Sequence, residues 1–263
     1  MVHVEITTGD SPIVATAIHN GHQIRPELLP YLNLLESERL REEDPFTTEW
    51  LQISDNTIKV DTSRFEVDVN RPRDKAVYTK PEDSWGLQLW KEDVPAEIME
   101  KSLSAYDQFY QQIADHFDRL LEKHDWLVVY DFHSYNFRRE GVDRYASPEE
   151  NPEINIGTKN MDRALWAPVV DTLLKCFGEY NFEGRHLDVR ENVKFKGGYF
   201  SQWIYEHYGN RVCPLAIEVK KFFMDEWTGE ADENHLKHLR ALFIDSLLPV
   251  RKAAGKVFQT KAL

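Results

Sequence analysis

A long amphipathic segment that leads straight into an apolar run constrains the fold of this chain more than any other feature. Between residues 96 and 124, apolar side chains recur every three or four positions, which predicts a helix with one face in the core. The apolar positions are Ile98, Met99, Leu103, Tyr106, Phe109, Tyr110, Ile113, Phe117, Leu120 and Leu121. Residues 126–130 follow as a continuous apolar run, which predicts a buried strand. A helix followed by a buried strand is typical of α/β folds.

Other segments fit the same fold class. Alternation over residues 2–6 and apolar runs at 13–18 and 215–217 predict strands, and residues 65–69 also look like a strand. The amphipathic segments 160–178 and 234–258 predict helices. Residues 140–158 are rich in Pro, Gly, Glu and Asn and predict a long loop, and the charge run 36–44 is typical of a solvated helix face. Because we find no internal repeat or linker, we expect one α/β domain over residues 1–263.

Composition narrows the classes of partner. A net charge of −13 argues against a general nucleic-acid binder, which normally carries a basic face. No apolar run approaches the ~20 residues that a membrane span needs, and the first residues lack the pattern of a signal peptide. Cys176 and Cys213 cannot form a disulfide framework and are expected to be reduced thiols. We therefore expect a cytoplasmic protein with neither nucleic acid nor membrane as a partner.

Polar clusters follow the predicted strands, where α/β folds place their chemistry. The clusters are His-Asn-Gly-His at 19–22, Asn-Arg at 70–71, Asp-Phe-His-Ser at 131–134, and Glu218. Because strands of one sheet bring such ends together, we interpret the four clusters as one site.

A metal ion is the first interpretation of the two histidine clusters. Zn²⁺ in hydrolases takes three protein ligands and one water, and His19 and His133 are natural imidazole ligands. Asp131, two residues before His133, is placed to accept the second ring N–H of a metal-bound histidine, or to be a ligand itself. A single histidine at a strand end is more often a hydrogen-bonded, non-catalytic imidazole, but two of them favour a metal site.

The third ligand is expected to be acidic, and the residues leave its identity open. Asp44 and Glu43 end the charge run, although both are also compatible with solvated surface. His22 is a further candidate, either as a ligand or as a contact to substrate.

An Asn-Arg pair indicates recognition of a carboxylate. The guanidinium fork of Arg71 pairs with a carboxylate through two hydrogen bonds, and Asn70 supplies a neutral donor and acceptor beside it. Arg64 lies seven residues upstream and would polarise a scissile carbonyl. The alternative is a surface ion pair, with Asp68 as an obvious local partner.

Glu218 and a glycine pair complete the set of candidates. A carboxylate near a zinc-bound water can remove its proton and later protonate the leaving amine, although a salt bridge from Glu218 to Lys220 or Lys221 would also explain this residue. Gly197 and Gly198 permit close approach of the backbone to a ligand, as they also would in an ordinary tight turn.

The order of these motifs resembles the N-formylglutamate amidohydrolase family. The matching segments are His-Asn-Gly (19–21), Glu-Asp-Pro (43–45), Ser-Arg-Phe-Glu-Val-Asp-Val-Asn-Arg-Pro (63–72), Asp-Phe-His-Ser (131–134), Asn-Val-Lys-Phe-Lys-Gly-Gly-Tyr (192–199) and Ala-Ile-Glu-Val (216–219). The resemblance as a whole extends over about residues 13–228. The family's first motif is usually Pro-His-Ser-Gly, so Ile18 and Asn20 depart from it.

The resemblance implies a fold similar to zinc carboxypeptidases and aspartoacylase-type deacylases, with a mixed central sheet flanked by helices. It also implies one Zn²⁺ or another divalent metal per chain. The roles it implies are metal ligation by His19, Asp44 and His133, with Glu43 or His22 as alternatives to Asp44; a carboxylate clamp of Asn70 and Arg71; carbonyl polarisation by Arg64; and general-base catalysis by Glu218.

We therefore predict a zinc-dependent amidohydrolase that removes an N-acyl group, first of all N-formyl, from an acidic amino acid such as N-formyl-L-glutamate. One alternative is a carboxypeptidase-like hydrolase of short peptides or other N-acyl amino acids, with Tyr135, Arg138, Arg139 and the loop 140–158 forming the pocket. A second is a non-catalytic binder that holds an acidic metabolite with Arg64 and Arg71. The oligomeric state stays open.

Overall fold

The computed structural model describes residues 2–259. The strands in this range are β1 Val4–Thr7, β2 Ile13–Ala17, β3 Thr57–Val60, β4 Leu127–Tyr135, β5 Ile154–Gly157, β6 Val189–Glu191 and β7 Val212–Lys220. The α-helices are α1 Glu36–Glu42, α2 Ala96–Lys123, α3 Ala167–Glu179, α4 Tyr199–Tyr208 and α5 Glu233–Gln259. Short 3-10 helices cover Thr47–Ile53, Arg73–Lys75, Pro81–Ser84 and Gly209–Arg211.

The strands form one seven-stranded mixed sheet in the order β1-β3-β2-β4-β7-β5-β6. Strands β3, β2, β4 and β7 run parallel, whereas β1 is antiparallel to β3 and β5 is antiparallel to β7. The carboxyl ends of the four parallel strands therefore meet at one edge, which is where α/β sheets commonly bind ligands.

The two central strands explain why helices cover both faces of the sheet. β4 is buried along its whole length and pairs with β7 from Leu127 opposite Val212 to Tyr135 opposite Lys220. Parallel strands of this kind need apolar cover on each face. α3 and α5 pack on one face and α2 and α4 on the other, which confirms the predicted fold class of a mixed sheet flanked by helices.

The predicted helices at 96–124, 160–178 and 234–258 are confirmed as α2, α3 and α5, although α3 begins later, at Ala167. In α2 the buried positions follow the apolar stripe, with Phe109, Ile113 and Phe117 fully buried against the sheet. The stripe is therefore core packing.

The strand predicted at 65–69 is wrong. These residues form turns, in which Ser63 O accepts from Glu66 N at 3.0 Å and Asp68 O accepts from Arg71 N at 3.2 Å. Phe65, Val67 and Val69 are buried as a strand would bury them, but Asp68 is buried as well, because its side chain binds neighbouring groups.

Other strand boundaries also differ from the predictions. The segment 131–134 does not follow a strand but lies inside β4, since β7 continues to pair with it as far as Tyr135. The predicted loop 140–158 contains β5, whose four buried residues extend the sheet beside β7. β3, β6 and α4 were not predicted from the sequence.

The interpretation of residues 36–44 as a solvated helix face is wrong for four of these residues. Helix α1 covers Glu36–Glu42, but Arg39 and Glu42 within it, and Glu43 and Asp44 after it, are buried. The run is therefore partly a buried ionic cluster, which its composition does not reveal.

Cys176 and Cys213 are both free. Among residues 2–259, no helix combines the length and the apolar character that crossing a bilayer requires.

Candidate metal centre and active site

Two histidines and one aspartate from separate parts of the chain meet at the carboxyl edge of the sheet. His19 follows β2, His133 lies near the end of β4, and Asp44 follows α1, and all three are buried. One ligand atom from each lies within 4.8 Å of the others. The Nδ1 atoms of His133 and His19 lie 3.0 and 3.6 Å from Asp44 Oδ2. This donor set can hold a metal ion.

Two further carboxylates orient the imidazoles. Asp68 Oδ1 lies 2.7 Å from Nε2 of His19, and Asp131 Oδ2 lies 3.1 Å from Nε2 of His133. Thr16 donates to Asp131 at 2.6 Å and fixes that carboxylate in turn. A carboxylate thus holds the Nε2–H of each ring, so a metal ion could take the place of the Nδ1 proton that otherwise bonds to Asp44. This is the usual arrangement behind metal-bound histidines.

The charges around the site favour a cation. Burial alone would raise the pKa of Asp44, but hydrogen bonds from His133 and His19 hold it below its usual value. Burial likewise opposes protonation of His133, yet the Asp131 carboxylate and the hydrogen bond to Asp44 raise the pKa of this ring well above its ordinary value. A positive charge is therefore stabilised among these carboxylates, as a proton or as a metal ion.

Asp68 links the histidine site to the segment that follows. It accepts hydrogen bonds from Arg64 Nη2 at 2.8 Å, from the backbone N–H of Asn70 at 2.9 Å, and from the Tyr78 hydroxyl. Burial alone would raise the pKa of Asp68, but Arg64 and His19 beside it hold the pKa well below its usual range. From the sequence, Asp68 is expected only as a surface ion-pair partner of the arginines Arg64 and Arg71, and it pairs with both.

Glu218 stands directly beside the histidine site. It is the partner of His133 in the parallel pairing of β4 and β7, so both side chains project from the same face of the sheet. Burial raises the pKa of Glu218 to about 8; His133 opposes this shift, and the carboxylates of Asp44 and Asp131 add to it. Within the described range no ion pair joins Glu218 to Lys220 or Lys221, whose ammonium groups bind backbone carbonyls.

A cavity of about 260 Å³ opens onto these side chains. It is lined by His19, Glu42, Asp44, Arg64, Asn70, Trp85, His133, Ser134, Tyr135, Asn136, Arg139, Lys194, Phe195, Gly197, Gly198, Glu218 and Lys221. Pockets for drug-sized ligands usually measure ~300–1,000 Å³, so this one suits a small molecule. Its wall carries both arginine and lysine side chains and acidic side chains.

The glycine pair lies against Asn70 on the cavity wall. A Cβ atom on Gly198 would come within 2.3 Å of Asn70 Oδ1, so only glycine allows this contact. Gly197 has φ +115°, a conformation that side chains rarely adopt. Asn70 Oδ1 also accepts a hydrogen bond from Phe200 N at 2.9 Å, which ties the start of α4 to the site.

Two predicted substrate contacts lie away from the cavity. Arg71 stacks over Tyr78 at 4.6 Å and donates to the backbone carbonyl of Asp83 at 2.8 Å. His22 hydrogen bonds to Glu43 through Nδ1, and Arg39 Nη2 lies 3.1 Å from its Nε2.

The alternatives for the acidic ligand differ in position. Glu43 is buried, but it faces His22 and Ser63 and does not line the cavity. Asp44 alone of the three candidates belongs to the converging group with His19 and His133.

Of the residues predicted to form the pocket, Tyr135 and Arg139 line the cavity, whereas Arg138 turns to Asp225 at 2.8 Å. The segment 140–158 contributes no lining residue. Glu42, Trp85 and Lys194 line the cavity without having been predicted. Glu42 belongs to the charge run and Lys194 to the motif at 192–199, but neither residue was assigned a role, and nothing in the sequence around Trp85 singles it out.

Known proteins share sequence features and the fold with this chain. The family model described as N-formylglutamate amidohydrolase matches residues 11–224. None of the curated proteins compared matches the chain.

Two solved structures share the fold. One is an N-formylglutamate amidohydrolase from Ralstonia eutropha, with 15% sequence identity, a TM-score of 0.72 and 96% of each chain covered. The other is a gene product of Agrobacterium tumefaciens, with 18% identity and a TM-score of 0.66, covering 94% of this chain and 96% of that one. The family match extends over most of the sequence, so the chain belongs to the N-formylglutamate amidohydrolase family.

Proposed function

We propose that the protein is a zinc-dependent amidohydrolase that removes an N-acyl group, first of all N-formyl, from an acidic amino acid such as N-formyl-L-glutamate. The observation that carries the proposal is the convergence of His19, Asp44 and His133 beside Glu218 in one small cavity. Membership of the N-formylglutamate amidohydrolase family supports hydrolysis of an amide bond as the class of reaction.

The residues present fit a zinc ion. Two imidazole nitrogens and one carboxylate oxygen are a common set of protein ligands at catalytic zinc sites, which keep one position open for water or substrate. His19, Asp44 and His133 would hold the ion, with Asp68 and Asp131 fixing the imidazoles. A bound zinc ion lowers the pKa of water towards ~7 and polarises an amide carbonyl.

Glu218 is the general base in this proposal, and a cation held by the neighbouring ligands would favour its ionised form by opposing the shift that raises its pKa to about 8. Its carboxylate takes a proton from the attacking water as the water oxygen bonds to the acyl carbon. Once the C–N bond breaks, Glu218 returns that proton to the leaving amine nitrogen, so formate and the free amino acid result from an N-formyl substrate. Arg64 lines the same cavity and would stabilise the negative charge that develops on the carbonyl oxygen.

Recognition of the substrate is assigned to the cavity wall. Asn70 and the backbone of Gly197 and Gly198 would hold one polar end of the substrate. Arg71 would act indirectly, since it braces Asp68 at 3.5 Å and does not line the cavity. For the same reason His22 is assigned to supporting Glu43 and not to the substrate.

A panel of substrates tests the proposed reaction. With zinc supplied, we expect release of formate from N-formyl-L-glutamate, weaker hydrolysis of N-acetyl-L-glutamate, and little cleavage of glutamyl dipeptides. Chelation followed by zinc readdition serves as the control. A preference for dipeptides would favour a carboxypeptidase-like enzyme, and binding of acidic amino acids without any turnover would favour a non-catalytic binder.

Comparing Asp44→Asn with Glu43→Gln tests the acidic ligand. We expect Asp44→Asn to weaken zinc binding by more than the ~10–100-fold that loss of an outer partner typically causes, because a charged ligand is removed. Glu43→Gln is the matched control, since the neighbouring buried carboxyl lies outside the cavity and glutamine retains an acceptor for Ser63. Competition with a chromogenic chelator measures both affinities. Stronger loss from Glu43→Gln than from Asp44→Asn would reverse the assignment.

A further inference from the structure

Trp85 is a large apolar side chain that lines the cavity and yet stays 40% exposed. It ends the 3-10 helix Pro81–Ser84 with φ 54°, in the left-handed region that bulky residues seldom adopt. Gly86 follows at φ 87°, and its N–H donates to Pro81 O at 2.8 Å. Two consecutive left-handed residues thus place an indole at the mouth of the cavity, where strain of this kind often serves function.

The indole contacts two arginines of the cavity wall. The guanidinium carbon of Arg64 lies 4.8 Å from the ring centre, and that of Arg139 lies 5.0 Å from it. Each arginine is also anchored by a buried carboxylate, since Arg64 Nη2 donates to Asp68 at 2.8 Å and Arg139 Nη2 donates to Glu42 at 2.6 Å. Trp85 therefore fixes the positions of both guanidinium groups relative to one another.

Each of the two arginines, Arg64 and Arg139, has one guanidinium nitrogen that makes no hydrogen bond within the described residues. Arg64 uses Nε and Nη2 for Tyr78 and Asp68, and Arg139 uses Nε and Nη2 for Glu42. In neither residue does Nη1 donate to any group between residues 2 and 259. Guanidinium donors of this kind suit a carboxylate.

We propose that Trp85 is a specificity-determining residue, which holds Arg139 at the cavity mouth so that its Nη1 binds the side-chain carboxylate of the substrate. Arg64, on the same indole, stays available for the scissile carbonyl. The ligand class is a dicarboxylate of amino-acid size. This inference rests on the proposed function for its substrate, but the binding site that it names can be tested without turnover.

The loop that carries Trp85 is braced to the histidine site. Arg71 donates to Asp83 O at 2.8 Å, and its Nε lies 3.5 Å from Asp68, the carboxylate behind His19. Asp83 also accepts the backbone N–H groups of Thr79 and Lys80 at 3.0 and 3.2 Å. Trp85 is therefore held at a defined position over the cavity.

Binding of glutarate and of its monoamide, glutaramate, to the zinc-supplied full chain tests the inference by calorimetry. We expect the wild type to bind glutarate about tenfold more tightly than glutaramate, equivalent to about 1.4 kcal/mol, and Trp85→Ala to bring that ratio below about threefold. Arg139→Gln should do the same, and Trp85→Phe should retain part of the preference. Trp227→Ala is the matched control, because that indole lies 4.3 Å from Arg41 and does not line the cavity.

The inference is overturned if Trp85→Ala and Arg139→Gln, with melting temperatures near the wild type, keep the wild-type ratio, or if the wild type does not prefer glutarate. Hydrolysis of N-formyl-L-glutamate is assayed separately. Absence of turnover together with a glutarate preference that depends on Trp85 would refute the proposed function and leave the binding site standing.

Discussion

Replacing Glu218 by glutamine is expected to lower kcat for N-formyl-L-glutamate by about 10²–10⁴-fold, the usual contribution of a general base. Glutamine keeps the shape of the side chain but cannot accept the proton of the attacking water. Since Glu218 is not among the converging ligand atoms of His19, Asp44 and His133, zinc binding should persist. Formate release and metal content, measured on the same sample, give the two readouts.

Glu66→Gln is a suitable control for this substitution. Glu66 is also a buried carboxyl group whose pKa is raised by burial, but it pairs with Arg25 and lies outside the cavity. Its variant should retain near wild-type kcat. Activity of Glu218→Gln within a few-fold of wild type, with zinc bound, would remove Glu218 from the mechanism.

Loss of either imidazole is expected to abolish zinc-dependent stabilisation. A ligand that binds only the folded state adds about 4 kcal/mol to stability at a concentration of 1,000 Kd, so zinc should raise the melting temperature of the wild type by several degrees. In His19→Ala and His133→Ala the shift should vanish together with turnover, because only two of the three ligands remain. Thermal unfolding with and without zinc measures the effect.

His116→Ala provides the matched control. His116 is fully buried and its pKa is lowered to about 4 by burial, but it lies on α2, away from the site. This variant should lose stability and keep the zinc-induced shift. A wild-type zinc shift in His133→Ala would mean that the ion binds elsewhere.

The histidine pair could be predicted from the sequence because periodicity reports burial and chain direction. The apolar runs before His19 and His133 are strands in the structure, and parallel strands place their carboxyl ends at one edge. The position of Glu218 beside them could be predicted in the same way, since an apolar run precedes it.

The remainder of the site depends on packing that periodicity does not report. Asp44 and Glu43 are adjacent, both acidic and both buried, and only the tertiary fold separates the one near the histidines from the one that faces Ser63. Arg71 does not line the cavity for a similar reason, because the turn at 65–71 directs it towards Asp83, whereas Trp85 lines the cavity without having been predicted. A turn whose apolar residues alternate resembles a strand in sequence, and its side-chain hydrogen bonds appear only in the structure.

The most direct test of the account is an anomalous difference map collected at the zinc edge from crystals of the full chain grown with zinc. A zinc ion at the proposed site should give one strong peak at ~2.0–2.2 Å from Nδ1 of His19, Nδ1 of His133 and a carboxylate oxygen of Asp44. A map with its peak bonded to other residues, or with no peak between these three side chains, would contradict it.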